Sequence, residues 1–108
     1  MIPSSTSIII LAAGSSTRLG IPKQLLQYGD KSLLRIIVEK ALVVHPLEVI
    51  VVLGFEAERM ADELEDLALR IVINRGWSEG VASSLRAGVN SVSARAKGAL
   101  ISLCDQPA

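Results

Sequence analysis

The sequence predicts an α/β fold in which helices cover both faces of one parallel sheet. Apolar runs alternate with helical patterns along the chain, each run is continuous, and 50% of the 108 residues are hydrophobic. Continuous apolar runs are typical of strands buried on both faces, and strands separated by helices need crossovers that make a sheet parallel. The predicted architecture is a Rossmann-like three-layer αβα arrangement in the order βαβαβαβ.

Four short runs rich in β-branched residues are the predicted strands, and they span 7–12, 47–53, 70–74 and 99–104. Three helices are predicted between them, over 32–45, 57–67 and 80–94. The first begins at an N-cap serine, Ser32, and is stopped by Pro46. The predicted inner face of this first helix consists of Leu33, Ile37, Ala41 and Val44. The predicted inner face of the second helix consists of Met60, Leu64 and Leu67. Gly88 weakens the third helix.

Length and charge limit the possible functions of the chain. Its 108 residues suit a single domain, 1–108, and eleven basic residues balance eleven acidic ones. Without a net positive field, we expect no binding to nucleic acid or to an anionic membrane. The first apolar run is too short to span a bilayer, and no basic residue precedes it as in a secretory signal. Cys104 is the only cysteine, so no internal disulfide forms, and we expect a cytoplasmic protein.

Ligands of parallel α/β sheets bind beyond the carboxyl ends of the strands, so the loops there are candidates for a site. The first loop, 14–24, carries the strongest signal. Small residues let its main chain approach a ligand, Gly14 and Gly20 permit unusual conformations, and exposed N–H groups in such a turn form an anion nest. Arg18 and Lys23 add the charges that suit a polyphosphate. The alternative is an ordinary loop with two solvated cations.

The segment 11–26, LAAGSSTRLGIPKQLL, resembles the signature of Rossmann-like nucleotidyltransferases of the nucleotide-diphospho-sugar transferase type. Further blocks at 51–54, 74–80, 83–88 and 103–107 resemble the molybdenum cofactor cytidylyltransferases among the MobA-like nucleotidyltransferases. Guanylyltransferase relatives usually carry two glycines where this chain has Ala12-Ala13-Gly14, which favours cytosine. Because family members are close to twice as long, the chain resembles a truncated, nucleotide-binding N-terminal half.

The resemblance implies a Mg²⁺-dependent transfer of CMP from CTP to the phosphate of molybdopterin cofactor, with release of pyrophosphate. Arg18 and Lys23 are the implied catalytic contacts to the triphosphate, and Asp105 is the implied catalytic ligand of Mg²⁺. The implied nucleotide-binding residues are Leu11, Ala12, Ala13, Gly14, Ser15, Arg18, Lys23, Gly54, Gly80, Ser83, Ser84 and Gly88. Two alternatives stay open: a nucleotide-binding module without catalysis, and a nucleotidyltransferase that acts on a sugar or polyol phosphate.

Several of these residues also have a plain structural interpretation. Asp105 precedes Pro107 and fits a turn, and the serines at 83 and 84 can satisfy free N–H groups in the first turn of a helix. Trp77 fits an anchor that packs its loop onto the domain. Finally, we expect strand 99–104 to lie beside strand 7–12 with its far edge uncovered. Another copy of the chain or an unseen second half would close that edge.

Overall fold

The computed structural model describes residues 3–15, 17–18 and 20–104, and at position 18 it describes the main chain alone. Four strands form the main sheet: β1 (Thr6–Leu11), β2 (Glu48–Leu53), β3 (Arg70–Ile73) and β4 (Gly98–Leu103). They are all parallel and lie in the order β3-β2-β1-β4. The predicted parallel α/β fold is confirmed, and each predicted strand is present with its ends within one residue of those expected.

Three helices cover the two faces of the sheet: α1 (Leu33–Val43), α2 (Ala57–Asp62) and α3 (Val81–Asn90). Successive residues of a strand point to opposite faces. Ile8 and Ile10 accordingly pack in the cluster that α1 and α2 cover, whereas Ile9 and Leu11 pack in the cluster on the side of α3. The central strands are therefore buried on both sides, which is why their sequences are apolar without alternation. No helix among the described residues is long and apolar enough to cross a membrane.

Helix α1 begins as predicted and ends earlier than predicted. The Oγ atom of Ser32 accepts a hydrogen bond of 3.2 Å from the N–H of Arg35, which confirms the N-cap. After Val43 the chain leaves the helix, and His45 takes a left-handed conformation with φ of 54°. The inner face also differs from the prediction, because Leu34 and Val38 are fully buried while Val44 is 39% exposed.

Helix α2 ends at Asp62, five residues before its predicted end, and the chain continues in tight turns. Arg35 of α1 holds these turns in place. Its Nη1 atom donates to the carbonyl oxygen of Glu63 at 2.9 Å, and its guanidinium pairs with both carboxylate oxygens of Asp66 at 2.7 and 2.8 Å. The hydrogen bond from Arg35 lowers the pKa of Asp66 to about 2. Arg35 therefore joins α1 to the turns after α2.

Helix α3 is shorter than predicted at both ends. Gly80 has φ of 110°, outside the helical region, so the helix begins at Val81. It ends at Asn90, and the N–H of Ser93 then donates to the carboxylate of Glu48 at 2.7 Å. Within the helix, a Cβ at Gly88 would lie 2.6 Å from Cγ2 of Ile9. Gly88 thus lets α3 lie close to the sheet.

Strand β4 lies next to β1 and forms one edge of the sheet, as predicted. Its apolar side chains are unusually exposed, with Leu100 at 49%, Ile101 at 40% and Leu103 at 39%. Edge strands are normally short, charged or covered. The described part of the chain supplies no strand that pairs with the outer edge of β4.

Candidate functional site

A cavity of about 310 Å³ opens at the carboxyl ends of β1 and β4. The strand order reverses between these two strands, since β2 and β3 follow β1 on one side and β4 lies on the other. Such a reversal is where parallel α/β sheets bind ligands. None of the described residues that line the cavity carries a charge; they are Leu11, Ala12, Ala13, Gly14, Ser15, Gln24, Trp77, Ser78, Gly80, Val81, Ser84 and Leu103.

The first wall of the cavity is the start of the loop after β1, and main-chain hydrogen bonds hold it. The N–H of Ala12 donates to the carbonyl of Val52 at 2.9 Å. The carbonyl of Leu11 accepts from the N–H of Cys104 at 3.1 Å, and that of Ala13 accepts from Phe55 at 3.0 Å. The loop is therefore fixed to both neighbouring strands before any ligand binds.

Gln24 holds the same loop from the other side. Its Nε2 atom donates to the carbonyl oxygens of Ala12 and Gly14 at 3.0 and 3.1 Å, and its side chain is almost completely buried. It reaches this position because the loop folds back on itself. Thr17–Arg18 pairs with Ile21–Pro22, and a short 3₁₀ turn, Lys23–Leu25, follows.

The two loop glycines have different roles. Gly20 has φ of 81°, which only glycine adopts readily, so the expectation that it allows a tight turn is confirmed. Gly14 has no positive φ, and a Cβ at this position would meet no atom of the described residues within 4 Å. The prediction of an unusual conformation at Gly14 is therefore wrong, and its lack of a side chain instead leaves open space beside the loop.

Trp77 forms the opposite wall and also anchors its own segment. A Cβ at Gly54 would lie only 2.6 Å from Cβ of Trp77, so the segment packs directly on the end of β2. The indole also meets the ring of Phe55 edge to face, with centroids 5.4 Å apart. Trp77 is thus the predicted anchor and lines the cavity at the same time.

Asn74, which follows β3, joins the Trp77 segment to the start of α3. Its Nδ2 atom donates to the hydroxyl oxygens of Ser83 and Ser84 at 2.9 and 3.0 Å, and its Oδ1 atom accepts from the N–H of Gly76 at 3.0 Å. Ser83 in turn donates to the carbonyl of Gly80 at 2.9 Å. The two serines therefore differ: Ser83 stabilises the turn, and Ser84 lines the cavity.

The structure brings together these residues of the predicted nucleotide-binding set: Leu11, Ala12, Ala13, Gly14, Ser15, Gly80 and Ser84. Gly54, Ser83 and Gly88 lie outside the cavity wall, since the glycines pack against Trp77 and Ile9 and Ser83 is used in the turn. Lys23 is partly exposed in the 3₁₀ turn and does not line the wall either. The side chain of Arg18 lies outside the described residues.

The predicted metal ligand, Asp105, also lies outside the described residues. The described chain leaves β4 at Cys104 beside the first loop. Among residues 3–15, 17–18 and 20–104, no group of three His, Cys, Asp or Glu side chains could hold a metal ion. The role of Asp105 as a metal ligand therefore stays a prediction.

Sequence reasoning missed five residues that build the site: Gln24, Asn74, Ser78, Val81 and Leu103. Leu103 could have been found, because it ends the strand expected beside β1. Gln24 and Asn74 gave no such signal. Their importance lies in which main-chain groups and hydroxyls their amides reach, and a sequence pattern does not contain that information.

Several known proteins resemble this chain over nearly its whole length, and three of them follow. Nicotine blue oxidoreductase of Paenarthrobacter nicotinovorans is 40% identical over 101 residues, which cover 92% of this chain and 48% of that protein. Rv0371c from Mycobacterium tuberculosis H37Rv superposes with a TM-score of 0.82 at 35% identity, covering 94% of this chain and 52% of that one. A structure of Rv0371c in complex with manganese superposes with a TM-score of 0.78.

The third is a nucleotidyl transferase from Methanothermobacter thermautotroptrophicus (Mth528), which superposes with a TM-score of 0.82 at 28% identity. The match covers 95% of this chain and 51% of that structure. This chain therefore spans about half the length of each of the three relatives. The fold is that of the parallel-sheet nucleotidyltransferases.

Residues 8–108 match the sequence profile of the MobA-like NTP transferase domain. This span contains every described residue that lines the cavity. It also contains the segment 11–26, on which the resemblance to the nucleotidyltransferases was based. The predicted family is confirmed on a match that covers almost the entire sequence. This chain belongs to the MobA-like NTP transferase domain family.

Proposed function

We propose that the whole protein transfers a nucleotidyl group from a nucleoside triphosphate to a phosphate-bearing acceptor. This chain would supply the nucleotide-binding part. The observation that carries the proposal is the uncharged cavity at the reversal of strand order, in a chain of this family. An uncharged wall with a few polar groups suits a base and ribose, which are the neutral parts of a nucleotide.

The charged parts of the nucleotide would lie outside this wall. Lys23 is in the turn that follows the loop hairpin, and Arg18 is in the hairpin itself, so both belong to the segment that borders the cavity. We propose that these two cations hold the triphosphate and offset the charge that gathers on the leaving pyrophosphate. An acceptor phosphate oxygen would form a bond to the α-phosphorus while the bond to the bridging oxygen of the β-phosphate breaks. Such transfers depend on positioning and charge stabilisation.

We further propose that a divalent metal takes part and that the carboxylate of Asp105 binds it. A carboxylate oxygen is a suitable ligand for Mg²⁺, and the related Rv0371c has been solved with manganese. When bound, the metal would neutralise charge on the phosphates. The loop and its cations would bind and orient the nucleotide.

The finer proposal is CTP as donor and molybdopterin cofactor as acceptor, in the cytoplasm. Both substrates rest on the family resemblance of the first loop and of the later blocks. A sugar or polyol phosphate is the alternative acceptor, and nucleotide binding without transfer is the alternative activity of the 108-residue chain. Assaying transfer to a panel of phosphate-bearing acceptors distinguishes molybdopterin cofactor from a sugar or polyol phosphate. Release of pyrophosphate by the 108-residue chain distinguishes nucleotidyl transfer from binding alone.

The test begins with calorimetry of the 108-residue chain against CTP, UTP, GTP and ATP, with and without Mg²⁺. We expect one nucleotide to bind, and we expect Arg18→Ala and Lys23→Ala to weaken its binding at least about tenfold. Lys40→Ala is the matched control, since Lys40 is an exposed lysine on α1 away from the loop. No measurable binding of any triphosphate by the wild-type chain would refute the proposal.

A second candidate is favoured by one comparison, the 40% identity to nicotine blue oxidoreductase. A redox role would require the chain or its longer form to bind a redox cofactor. Incubation with NADH or NADPH, followed by calorimetry and by the absorbance of the reduced nicotinamide, tests it. Binding of a dinucleotide in preference to every triphosphate would favour the redox role over nucleotidyl transfer.

A further inference from the structure

We infer that Gln24 is a positioning residue: its side-chain amide locks two peptide planes of the first loop and keeps the N–H groups of Ala13 and Ser15 turned away from it, free to donate to a ligand. This inference rests on the proposed function, because it takes the ligand of the cavity to be a nucleoside triphosphate. It concerns how the loop is prepared for binding, whichever base the nucleotide carries.

The geometry of the peptide bond links each carbonyl of the loop to the next N–H. In a planar trans peptide, the C=O of one residue and the N–H of the following residue point in opposite directions. The peptide between Leu11 and Ala12 is an example, since its carbonyl accepts from Cys104 at 3.1 Å while its N–H donates to Val52 at 2.9 Å. A hydrogen bond that fixes a carbonyl therefore also fixes the direction of the N–H in the same peptide.

Gln24 fixes two peptides of the loop in this way. Its Nε2 atom donates to the carbonyl of Ala12 at 3.0 Å and to that of Gly14 at 3.1 Å. No other described residue donates to either carbonyl. These two carbonyls belong to the peptides that carry the N–H groups of Ala13 and Ser15. The amide of Gln24 therefore sets the direction of both N–H groups.

The orientation of the Gln24 amide follows from its partners. Both are carbonyl oxygens, which only accept, so the atom that faces them is Nε2 with its two hydrogens. The Oε1 atom is then left buried, and no described residue donates a hydrogen bond to it. An unpaired buried acceptor is unfavourable, and each such group in a folded protein needs an explanation. A methionine would fill a similar volume without this cost, so the two bonds from Nε2 are what the glutamine adds.

The N–H groups that Gln24 orients have no acceptor among the described residues. Ala13 is only 3% exposed, and buried N–H groups without a partner are rare in folded proteins. Ala13 and Ser15 both line the cavity, which is the space from which an acceptor atom can reach them. A nucleotide carries such acceptors on its phosphates, its ribose and its base. Both N–H groups are therefore donors held for a ligand.

The loop needs this restraint because little else holds it at Gly14. A Cβ at Gly14 would meet no atom of the described residues within 4 Å, so no packing restrains the chain on that side. Glycine also allows a wide range of main-chain conformations. A ligand that must order a loop on binding loses affinity, and Gln24 removes this cost before the nucleotide arrives.

The first arm of the test follows the amide protons of the wild-type chain by NMR. The ¹⁵N-labelled chain is titrated with whichever of CTP, UTP, GTP and ATP binds most tightly. We expect the amide protons of Ala13 and Ser15 to move downfield, because an N–H that gains an acceptor is deshielded. The amide of Gly98, at the opposite end of the sheet, is the control and should not move. A bound nucleotide that moves neither Ala13 nor Ser15 would overturn the inference.

The second arm uses Gln24→Met, with Gln27→Met as matched control, because Gln27 is an exposed glutamine of the next ribbon. We expect Gln24→Met to bind the same nucleotide about tenfold more weakly and to lose the downfield movement of Ser15, and we expect the control to behave as wild type. Affinity within twofold of wild type in folded Gln24→Met protein would overturn the inference. Weaker binding with both amide movements retained would also overturn it, since Gln24 would then act through stability alone.

If Gln24→Met does not fold, Gln24→Asn takes its place. Asparagine keeps the amide but is one methylene shorter, so it cannot reach both carbonyls. We expect binding at least about threefold weaker than wild type, and unchanged affinity in folded Gln24→Asn protein would refute the role of Gln24. The first arm needs no variant and also separates the two proposals. A wild-type chain that binds no triphosphate refutes the proposed function, whereas binding that leaves Ala13 and Ser15 unmoved refutes only the positioning role.

Discussion

Replacing Gly54 by alanine should destabilise the protein and disturb the cavity at the same time. The added Cβ would lie 2.6 Å from Cβ of Trp77 and 2.8 Å from Cγ and Cδ1. Carbon atoms in contact are normally about 3.5–4.0 Å apart, so the neighbour must move by about 1 Å. Because one of the clashing atoms is Cβ, rotation of the indole does not relieve the clash. The main chain around Trp77 must shift instead.

The expected cost follows from two contributions. Overpacking of this kind typically costs about 1–3 kcal/mol, and loss of the edge-to-face contact with Phe55 adds about 0.5–1.5 kcal/mol. We therefore expect Gly54→Ala to lower the free energy of unfolding by about 1.5–4.5 kcal/mol. For a domain of this size, 1 kcal/mol corresponds to about 4–8 °C in Tm, so the melting temperature should fall by about 6 °C or more.

Urea unfolding followed by tryptophan fluorescence measures this effect, and Trp77 is the only tryptophan in the chain. Gly98→Ala is the control, because a Cβ at Gly98 meets no atom of the described residues within 4 Å and its φ is not positive. The control should change stability by no more than about 0.5–1 kcal/mol. Gly54→Ala protein with wild-type stability and an unchanged emission spectrum would show that the close packing of Trp77 on β2 is wrong.

Three further outcomes are expected from substitutions away from Gly54. Ser32→Ala should cost about 1 kcal/mol in urea unfolding, because it removes the N-cap of α1; a change below about 0.3 kcal/mol would contradict the capping role. The folded pKa of Asp66, about 2, lies below its unfolded value of 3.8, so its stabilisation is present above about pH 4 and is lost as the pH falls toward 2. Wild type should therefore exceed Asp66→Asn in stability at pH 6, and the difference should shrink as the pH falls from about 4 and vanish below pH 2; a difference independent of pH would argue against the ion pair with Arg35. Finally, we expect the wild-type chain to self-associate through β4 and Ile101→Lys to weaken association, which light scattering over a concentration series measures; a wild-type chain that stays monomeric would mean that no second copy covers this edge.

The sequence was sufficient to predict the layers and the strands. Alternation of continuous apolar runs with helical patterns reflects burial of β1 and β2 on both faces, and the ends of every strand of the main sheet were predicted within one residue. The two short antiparallel ribbons after β1 were not predicted. Helix ends were less predictable, because contacts distant in sequence decide them. The turns after α2 depend on Arg35, which lies 28 residues before Glu63. Likewise, the chain after α3 depends on the carboxylate of Glu48.

For the site, the small residues after the first strand predicted which loop would line a cavity, and this loop does line the cavity at the reversal of strand order. Gly54 and Gly88 carried the same sequence signal, but the structure gives them packing roles against Trp77 and Ile9. The hydrogen-bonding character of the cavity was decided only by tertiary structure. It depends on which carbonyls the amide of Gln24 reaches, and only the folding back of the loop brings that amide beside Ala12 and Gly14.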